Sequence, residues 1–223
     1  MMLHMRSYRQ FCGLAKALDV VGDRWTLLIV RELLIRGACR YTDLRNGLPG
    51  IATNLLAERL KELETTGVIK REDAPPPVAA TLISLTPRGQ ALEPVVRELG
   101  RWGAPLLRKS ARTDRFRTHW LALCAQNCLR DHDPNRPRVT MELRSGHESI
   151  TIEAAKGSIR TRVGSVEHPD AVLAGPPTAL VAILTGSMDL RKGRDAGLQY
   201  KGDPNVIGRL QPRAVGPGQV PHW

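Results

Sequence analysis

The chain is poor in several features that announce particular protein classes. Phe, Trp and Tyr make up only 4% of its 223 residues, which excludes the aromatic platforms on which single-stranded nucleic acid stacks. No apolar run approaches the roughly 18 unbroken residues of a membrane helix. Arg6, Arg9, Lys16 and Asp19 interrupt the first 21 residues, and no small-residue cleavage site follows. A secretory leader is therefore not expected, and the reading is cytoplasmic, with no membrane partner. Four cysteines, Cys12, Cys39, Cys124 and Cys128, are too few for a disulfide framework and are expected as buried thiols. The Gly-rich phosphate loop, His-Glu-x-x-His and Gly-x-Ser-x-Gly are all missing. Without a nucleophile–base set, neither an enzyme nor a bound cofactor is expected. Cys124, Cys128 and His132 recur at i, i+4, i+8, but a fourth ligand is lacking and Pro134 frays the helix, so no metal site is assigned.

What is present is a surplus of cations. Thirty-three Lys and Arg against 22 Asp and Glu leave +11. The excess is +7 in residues 1–112 and +4 in 113–223, a balance that suits a polyanionic partner and says nothing of fold. With 42% apolar residues, the chain can bury a core.

The first half reads as helices with a hairpin. Leu14, Ala17, Leu18 and Val21 form one helical stripe; Trp25, Leu28, Ile29 and Leu33 form a second, which Asp23 could cap. Tyr41–Asn46 is a short polar helix. Leu48-Pro49-Gly50 turns the chain, and Thr53–Thr66 is a helix with Leu56, Leu60 and Leu63 facing in and Gly67 at its end. Two short strands, Val68–Glu72 and Thr81–Leu85, flank a tip holding Pro75, Pro76 and Pro77, which cannot sit in a central ladder. Pro87 is expected to open one long helix through about Leu107. This is the order of a winged helix-turn-helix: a short crossing helix, a tight turn, then a helix with a polar N-terminal half. Thr53, Asn54 and Ala57 would enter a major groove, since Asn can pair with adenine and a small Ala can contact a thymine methyl. Arg40, Arg45, Arg59 and Lys61, with Lys70 and Arg71 on the wing, are placed to meet phosphates.

The runs Cys12–Leu33, Tyr41–Arg45, Leu48–Glu64 and Leu85–Gly89, in that order, resemble HxlR-type transcriptional regulators over about residues 11–107. The resemblance implies a homodimeric winged helix that binds pseudo-palindromic duplex DNA. It also implies dimerisation through the N-terminal and long C-terminal helices, making Leu14, Leu18, Leu99 and Trp102 interface candidates. Two departures stand out. Ala52 replaces the usual Ser before the reading helix, passing the cap to Thr53, and Gly13 replaces the Pro after Cys12. Cys12 stands where some members carry a reactive thiol; a buried small side chain is the other reading.

Beyond residues 111–114 the pattern changes. A helix from about Arg115 to Leu129 precedes a breaker, Asp131–Pro137, in which Asp131 and Asp133 look like turn chemistry. Strands then alternate through Val139–Leu143, Ile150–Ile152 and Ile159–Val163, followed by Ala171–Ala174, a helix Ala179–Leu184, a strand Leu198–Lys201 and a helix Pro204–Leu210. Residues 115–211, notably Asp170–Gly175, Thr178–Thr185, Gly186–Leu190 and Leu198–Pro204, resemble the sterol-carrier-type lipid-binding fold. That resemblance implies a curved five-stranded sheet with helices on one face, enclosing an apolar cavity. Trp120, Leu123, Met141, Ile152, Val163, Ile183, Leu184 and Met188 are candidate walls for an apolar or amphipathic effector, and an ordinary filled core is the other reading of each.

The fold class expected is α+β: a winged helix-turn-helix over residues 1–112, a sterol-carrier-like unit over 113–211 and a tail over 212–223. The function expected is a ligand-responsive homodimeric regulator. The alternative is a small-molecule or lipid carrier whose helical domain dimerises or docks a protein.

Overall fold

A computed structural model describes residues 7–77, 79–109 and 114–212. The chain divides into two compact units, Met1–Arg108 and Lys109–Trp223. The expected tail, apart from Pro212, and the junction at 110–113 lie outside the described residues.

In the first unit α1 (Gly13–Val21), α2 (Thr26–Arg36), α3 (Tyr41–Gly47) and α4 (Thr53–Thr65) lead into an antiparallel hairpin, β1 (Ile69–Ala74) and β2 (Ala80–Leu85). Its core joins Ile29, Val30 and Leu33 of α2 to Leu44 of α3, Leu56, Leu60 and Leu63 of α4, and Ile69, Ile83 and Leu85 of the hairpin. The three leucines of α4 fall at i, i+4, i+7, the spacing that gives a helix one apolar side. Cys39 pairs with Ile83 in an isolated bridge, which ties the base of the hairpin to the α2–α3 connection.

Several expectations need correction. The long helix from Pro87 is three pieces: α5 (Pro87–Gln90), α6 (Glu93–Gly103) and a 3-10 segment, Ala104–Lys109. Pro94 accounts for the break between α5 and α6, because it has no N–H for the Gln90 carbonyl and its ring clashes there. Asp23 does not cap α2; Trp25 stands at that position, the Asp23 backbone carbonyl accepts from Thr26 N, and the Asp23 carboxylate is taken by Arg59. Thr53 does not cap α4 either. Ala52 is the N-cap without a side-chain hydrogen bond, and Thr53 is the first helical residue. The cysteines are not uniformly buried: Cys39 is buried, Cys124 and Cys128 are half-buried and Cys12 is exposed.

The second unit is an α+β body around a five-stranded sheet. Its strands are β3 (Val139–Ser145), β4 (Glu148–Ala155), β5 (Ser158–Val163), β6 (Ala171–Ala174) and β7 (Gln199–Gly202), ordered β5-β4-β3-β6-β7. Only the β3–β6 pair is parallel. Along one face the register aligns Thr161, Ile152, Met141 and Ala171, and α7 (Leu121–Cys128) binds there through Gln126 Nε2, which donates to Thr161 Oγ1 at 2.7 Å. The opposite face carries Thr140, Glu142 and Thr151. Residues 164–170 must cross from β5 to β6 past β4 and β3. They are held by Thr151 Oγ1 donating to Gly164 O and by Asp170 Oδ2 accepting from both Thr140 N and Oγ1.

The helix expected from Arg115 begins only at Leu121, after a 3-10 turn over Thr118–Trp120. Thr118 donates its N–H to Glu148 and its hydroxyl to Ser145 O, which fixes the segment to the β3–β4 turn instead of in a helix. The two late helices are α8 (Pro177–Leu184) and α10 (Pro204–Arg209). Between them α9 (Leu190–Asp195) was not expected; six residues with one apolar side chain show no period, though Asp189, which accepts from Lys192 N, is a legible start signal.

Asp131 does more than shape a turn. It accepts from Asp133 N, and its buried carboxylate takes a two-pronged pair from Arg209 of α10, at 2.7 and 3.0 Å, and a hydrogen bond from Gly157 N. The Arg209 hydrogen bonds hold the Asp131 carboxyl below its ordinary value of 3.8, at about 2. A carboxylate depressed in the folded state stabilises the fold in full above its unfolded value and loses that contribution as pH falls through the folded one. About 2 kcal/mol of stability should therefore disappear between roughly pH 4 and pH 2. Urea unfolding of Asp131→Asn across that window should show a flatter pH dependence; a slope equal to that of the unaltered chain would contradict this role.

Candidate nucleic-acid interface

Thr53, Asn54, Ala57 and Lys61 all lie on the exposed side of α4, opposite its buried leucines. The start of this helix is set by its neighbours. Tyr41 Oη donates to Thr53 O at 3.0 Å, joining the first residue of α3 to the first of α4. Asp43 accepts the Arg40 N–H and so holds the entry of α3. Between the two helices Gly50 has φ +98°, which the tight turn requires and side-chain-bearing residues rarely adopt.

Beneath this turn lies a buried carboxylate that the sequence reading passed over. Glu32 of α2 is wholly shielded, with Arg31 Nη2 at 2.8 Å on one oxygen and Arg36 Nε at 3.1 Å on the other. Gly47, the last residue of α3, closes on it: a Cβ there would lie 2.0 Å from Glu32 Oε2. Burial pulls the Arg31 guanidinium below its ordinary value while Glu32 pushes it back up. The legible signal was charge within the apolar period of α2, since a carboxylate among core positions must be paired.

The basic candidates separate into two groups. Arg40 is exposed at the N-cap of α3, Arg45 on α3 and Lys61 on α4. Among the described residues Arg45 and Lys61 form no ion pair. Lys70 and Arg71 are exposed on β1, but Lys70 holds Glu72 at 2.6 Å, and Arg71 reaches back to Glu64 of α4 at 3.6 Å. Arg59 stands apart. Only 15% of its side chain is exposed, and its guanidinium is engaged by Asp23, Glu58 and Glu62. Burial pushes the Glu62 carboxyl up and Arg59 beside it pulls it back. Arg59 thus binds α4 to the α1–α2 connection and is turned away from the face that Asn54 and Lys61 share.

The interface candidates Leu14, Leu18, Leu99 and Trp102 are exposed by 69, 39, 49 and 59%. Phe11 and Val95 are exposed with them, and α6 has no buried residue. So much apolar surface on two helices is the pattern of a surface that something else covers. In the second unit Met141, Ile152, Ile183 and Leu184 sit in the core, Trp120, Leu123 and Met188 are half-buried, and Val163 is 40% exposed on the edge strand β5. Trp120 meets Phe116 and His119 edge to face. No helix among the described residues is long and apolar enough to cross a membrane.

Comparison with known proteins places this geometry. The HxlR-like helix-turn-helix family matches residues 20–111. The HTH-type transcriptional regulator YvaP of Bacillus subtilis is 41% identical over 87 residues, covering 39% of this chain and 80% of that protein. This chain belongs to the HxlR-like family. The regulator sll1512 of Synechocystis is 33% identical over 100 residues, covering 45% of this chain and 73% of that one. The B. subtilis regulator YodB is 35% identical over 86 residues, covering 39% and 76%. All three of these proteins are named as HTH-type transcriptional regulators, YvaP and sll1512 as uncharacterized ones. The family match ends before α7, so it speaks for the first unit.

The two groups of cations should behave differently. Arg59→Gln should lower the unfolding free energy by about 1–3 kcal/mol, the usual loss for a hydrogen bond to a charged group, and leave the salt dependence of duplex binding unchanged. Lys61→Ala should leave stability nearly intact and flatten the plot of log affinity against log salt by about 0.9. Reversed outcomes would exchange the roles.

Proposed function

We propose that this member of the HxlR-like family is a homodimeric, ligand-responsive transcriptional regulator that reads pseudo-palindromic duplex DNA with the exposed side of α4. The observation that carries the reading is the division of that helix: Leu56, Leu60 and Leu63 are spent on the core, while Thr53, Asn54 and Ala57, at the end the turn presents, and Lys61, one turn beyond Ala57, are left to solvent. Asn54 has the paired donor and acceptor that adenine needs, and Ala57 is small enough to meet a thymine methyl. Arg40 and Arg45, with Lys70 and Arg71 once released from their carboxylates, supply phosphate contacts and hence salt-dependent affinity.

The exposed stripes of α1 and α6 support pairing of two copies. A symmetric pair would set two reading helices about one helical turn of DNA apart. Residues 1–112 would then bind DNA and dimerise, while 113–211 would act as a sterol-carrier-like effector domain for an apolar or amphipathic small molecule. The α+β sheet with α7 on its apolar face supports that assignment. Trp120, Leu123 and Met188 are the half-buried apolar side chains such a molecule would meet first. An effector acts only through unequal affinity for DNA-competent and incompetent arrangements of the dimer.

Selection of bound fragments from random-sequence duplex DNA tests the proposal. It should return a motif with two inverted half-sites; no retardation even at low salt would favour the carrier reading instead. On the selected site Asn54→Ala should weaken binding by about 1–3 kcal/mol while affinity for random duplex stays nearly unchanged. Equal losses on both DNAs would remove Asn54 from the reading face.

A further inference from the structure

One cluster in the second unit has no part in DNA binding and none in an apolar site. Cys124 and Cys128 stand one turn apart on α7, in no disulfide, with their sulfurs 4.0 Å apart in a thiol–thiol hydrogen bond. That hydrogen bond and burial both hold the Cys124 thiol well above its ordinary value. Beside them on the same turn, the side-chain oxygen of Asn127 is shielded from solvent and accepts no hydrogen bond. A buried acceptor left unfilled is costly and calls for a donor or a cation.

Two chemistries can use a thiol pair, and the geometry separates them. A disulfide needs Cβ atoms about 3.5–4.5 Å apart. Residues at i and i+4 of a helix hold theirs about 5–6 Å apart, so oxidation would have to unwind the last turn of α7. A bridging ion has no such requirement. With metal–sulfur bonds of about 2.3 Å, sulfurs 4.0 Å apart subtend an angle of roughly 120° at the ion, so the backbone can stay where it is. A structural zinc site takes four ligands, whereas among the described residues no group of three or more His, Cys, Asp and Glu side chains is gathered for a metal. His132, which continues the i, i+4 spacing, is exposed beyond the end of the helix.

We propose that Cys124 and Cys128 form a binding site for a soft d10 cation, held by two thiolate sulfurs with the Asn127 oxygen beside them. Soft thiolates select copper(I) over hard ions, and copper(I) accepts coordination by two thiolates; cadmium(II) is a spectroscopic probe of the same two sulfurs. Binding breaks two S–H bonds, releases two protons and forms two metal–sulfur bonds; no electron is transferred.

The test uses the full-length chain carrying Cys12→Ser and Cys39→Ala, so that only this pair of thiols remains. Titration with cadmium(II) should give one equivalent of uptake, a sulfur-to-cadmium charge-transfer band in the ultraviolet and two protons released per ion. Copper(I), delivered anaerobically against a competing chelator, should fill the same single site and displace cadmium. Adding Cys124→Ser or Cys128→Ser should abolish the band and the tight equivalent while the far-ultraviolet circular dichroism of the chain is retained. Cadmium uptake without the band, or uptake that survives both serine variants, would overturn the proposal. So would the absence of uptake by a parent chain whose circular dichroism shows it folded.

Discussion

A single buried carboxylate, Glu32, ties α2 to the end of α3, from which the turn into α4 starts. Glu32 sits in the core of the first unit between the guanidiniums of Arg31 and Arg36, with the backbone of Gly47 pressed against it. An isolated buried charge would be strongly unfavourable, and pairing on both oxygens offsets that cost. The geometry that satisfies the charge also sets how closely α3 approaches α2. From Gly47 only Leu48, Pro49, Gly50, Ile51 and Ala52 remain before α4 begins, and Leu48 and Ile51 of that turn are themselves buried. The exposed side of α4 is thus the far end of a short rigid chain of contacts that starts at Glu32. Its entry is braced a second time by Tyr41 on Thr53, and its middle by Arg59 on Asp23.

This arrangement explains the uneven use of charge. A surplus of cations makes every Arg look available for phosphate, yet Arg31, Arg36 and Arg59 are used internally. Arg40, Arg45 and Lys61 are left exposed on and around α3 and α4. The first group holds the fold together, and the second is the set of cations the proposed DNA contact would draw on. The apolar surface divides in the same manner. Leu56, Leu60 and Leu63 complete a core within one chain, whereas Leu14, Leu99 and Trp102 remain uncovered in it.

Much of this was legible in the sequence because it follows from short-range periodicity. The leucine spacing of α4, the Leu48-Pro49-Gly50 turn, the proline-bearing hairpin tip and the alternation through β3, β4 and β5 each announce an element with one buried side. What escaped depends on partners distant in sequence. Asp131 reads as a turn residue until Arg209, 78 positions later, folds onto it. Thr118 reads as helical until Ser145 and Glu148 claim its hydroxyl and N–H. Arg59 reads as a phosphate ligand until Asp23 takes it. The break at Pro94 is different, since its signal was local and the apolar stripe through Leu92, Val96 and Leu99 outweighed it. For α9 the stretch is too short to establish a period.

A double-mutant cycle measures directly whether contact between Glu32 and Gly47 holds α3 and the start of α4 in place. Gly47→Ala drives a methyl group into the Glu32 carboxylate and should cost about 1–3 kcal/mol of unfolding free energy, with a parallel loss of sequence-selective DNA binding. In a Glu32→Ala background the methyl has room, and the same substitution should cost almost nothing. Equal costs in the two backgrounds would show that Gly47 answers to something other than Glu32 and would contradict the account.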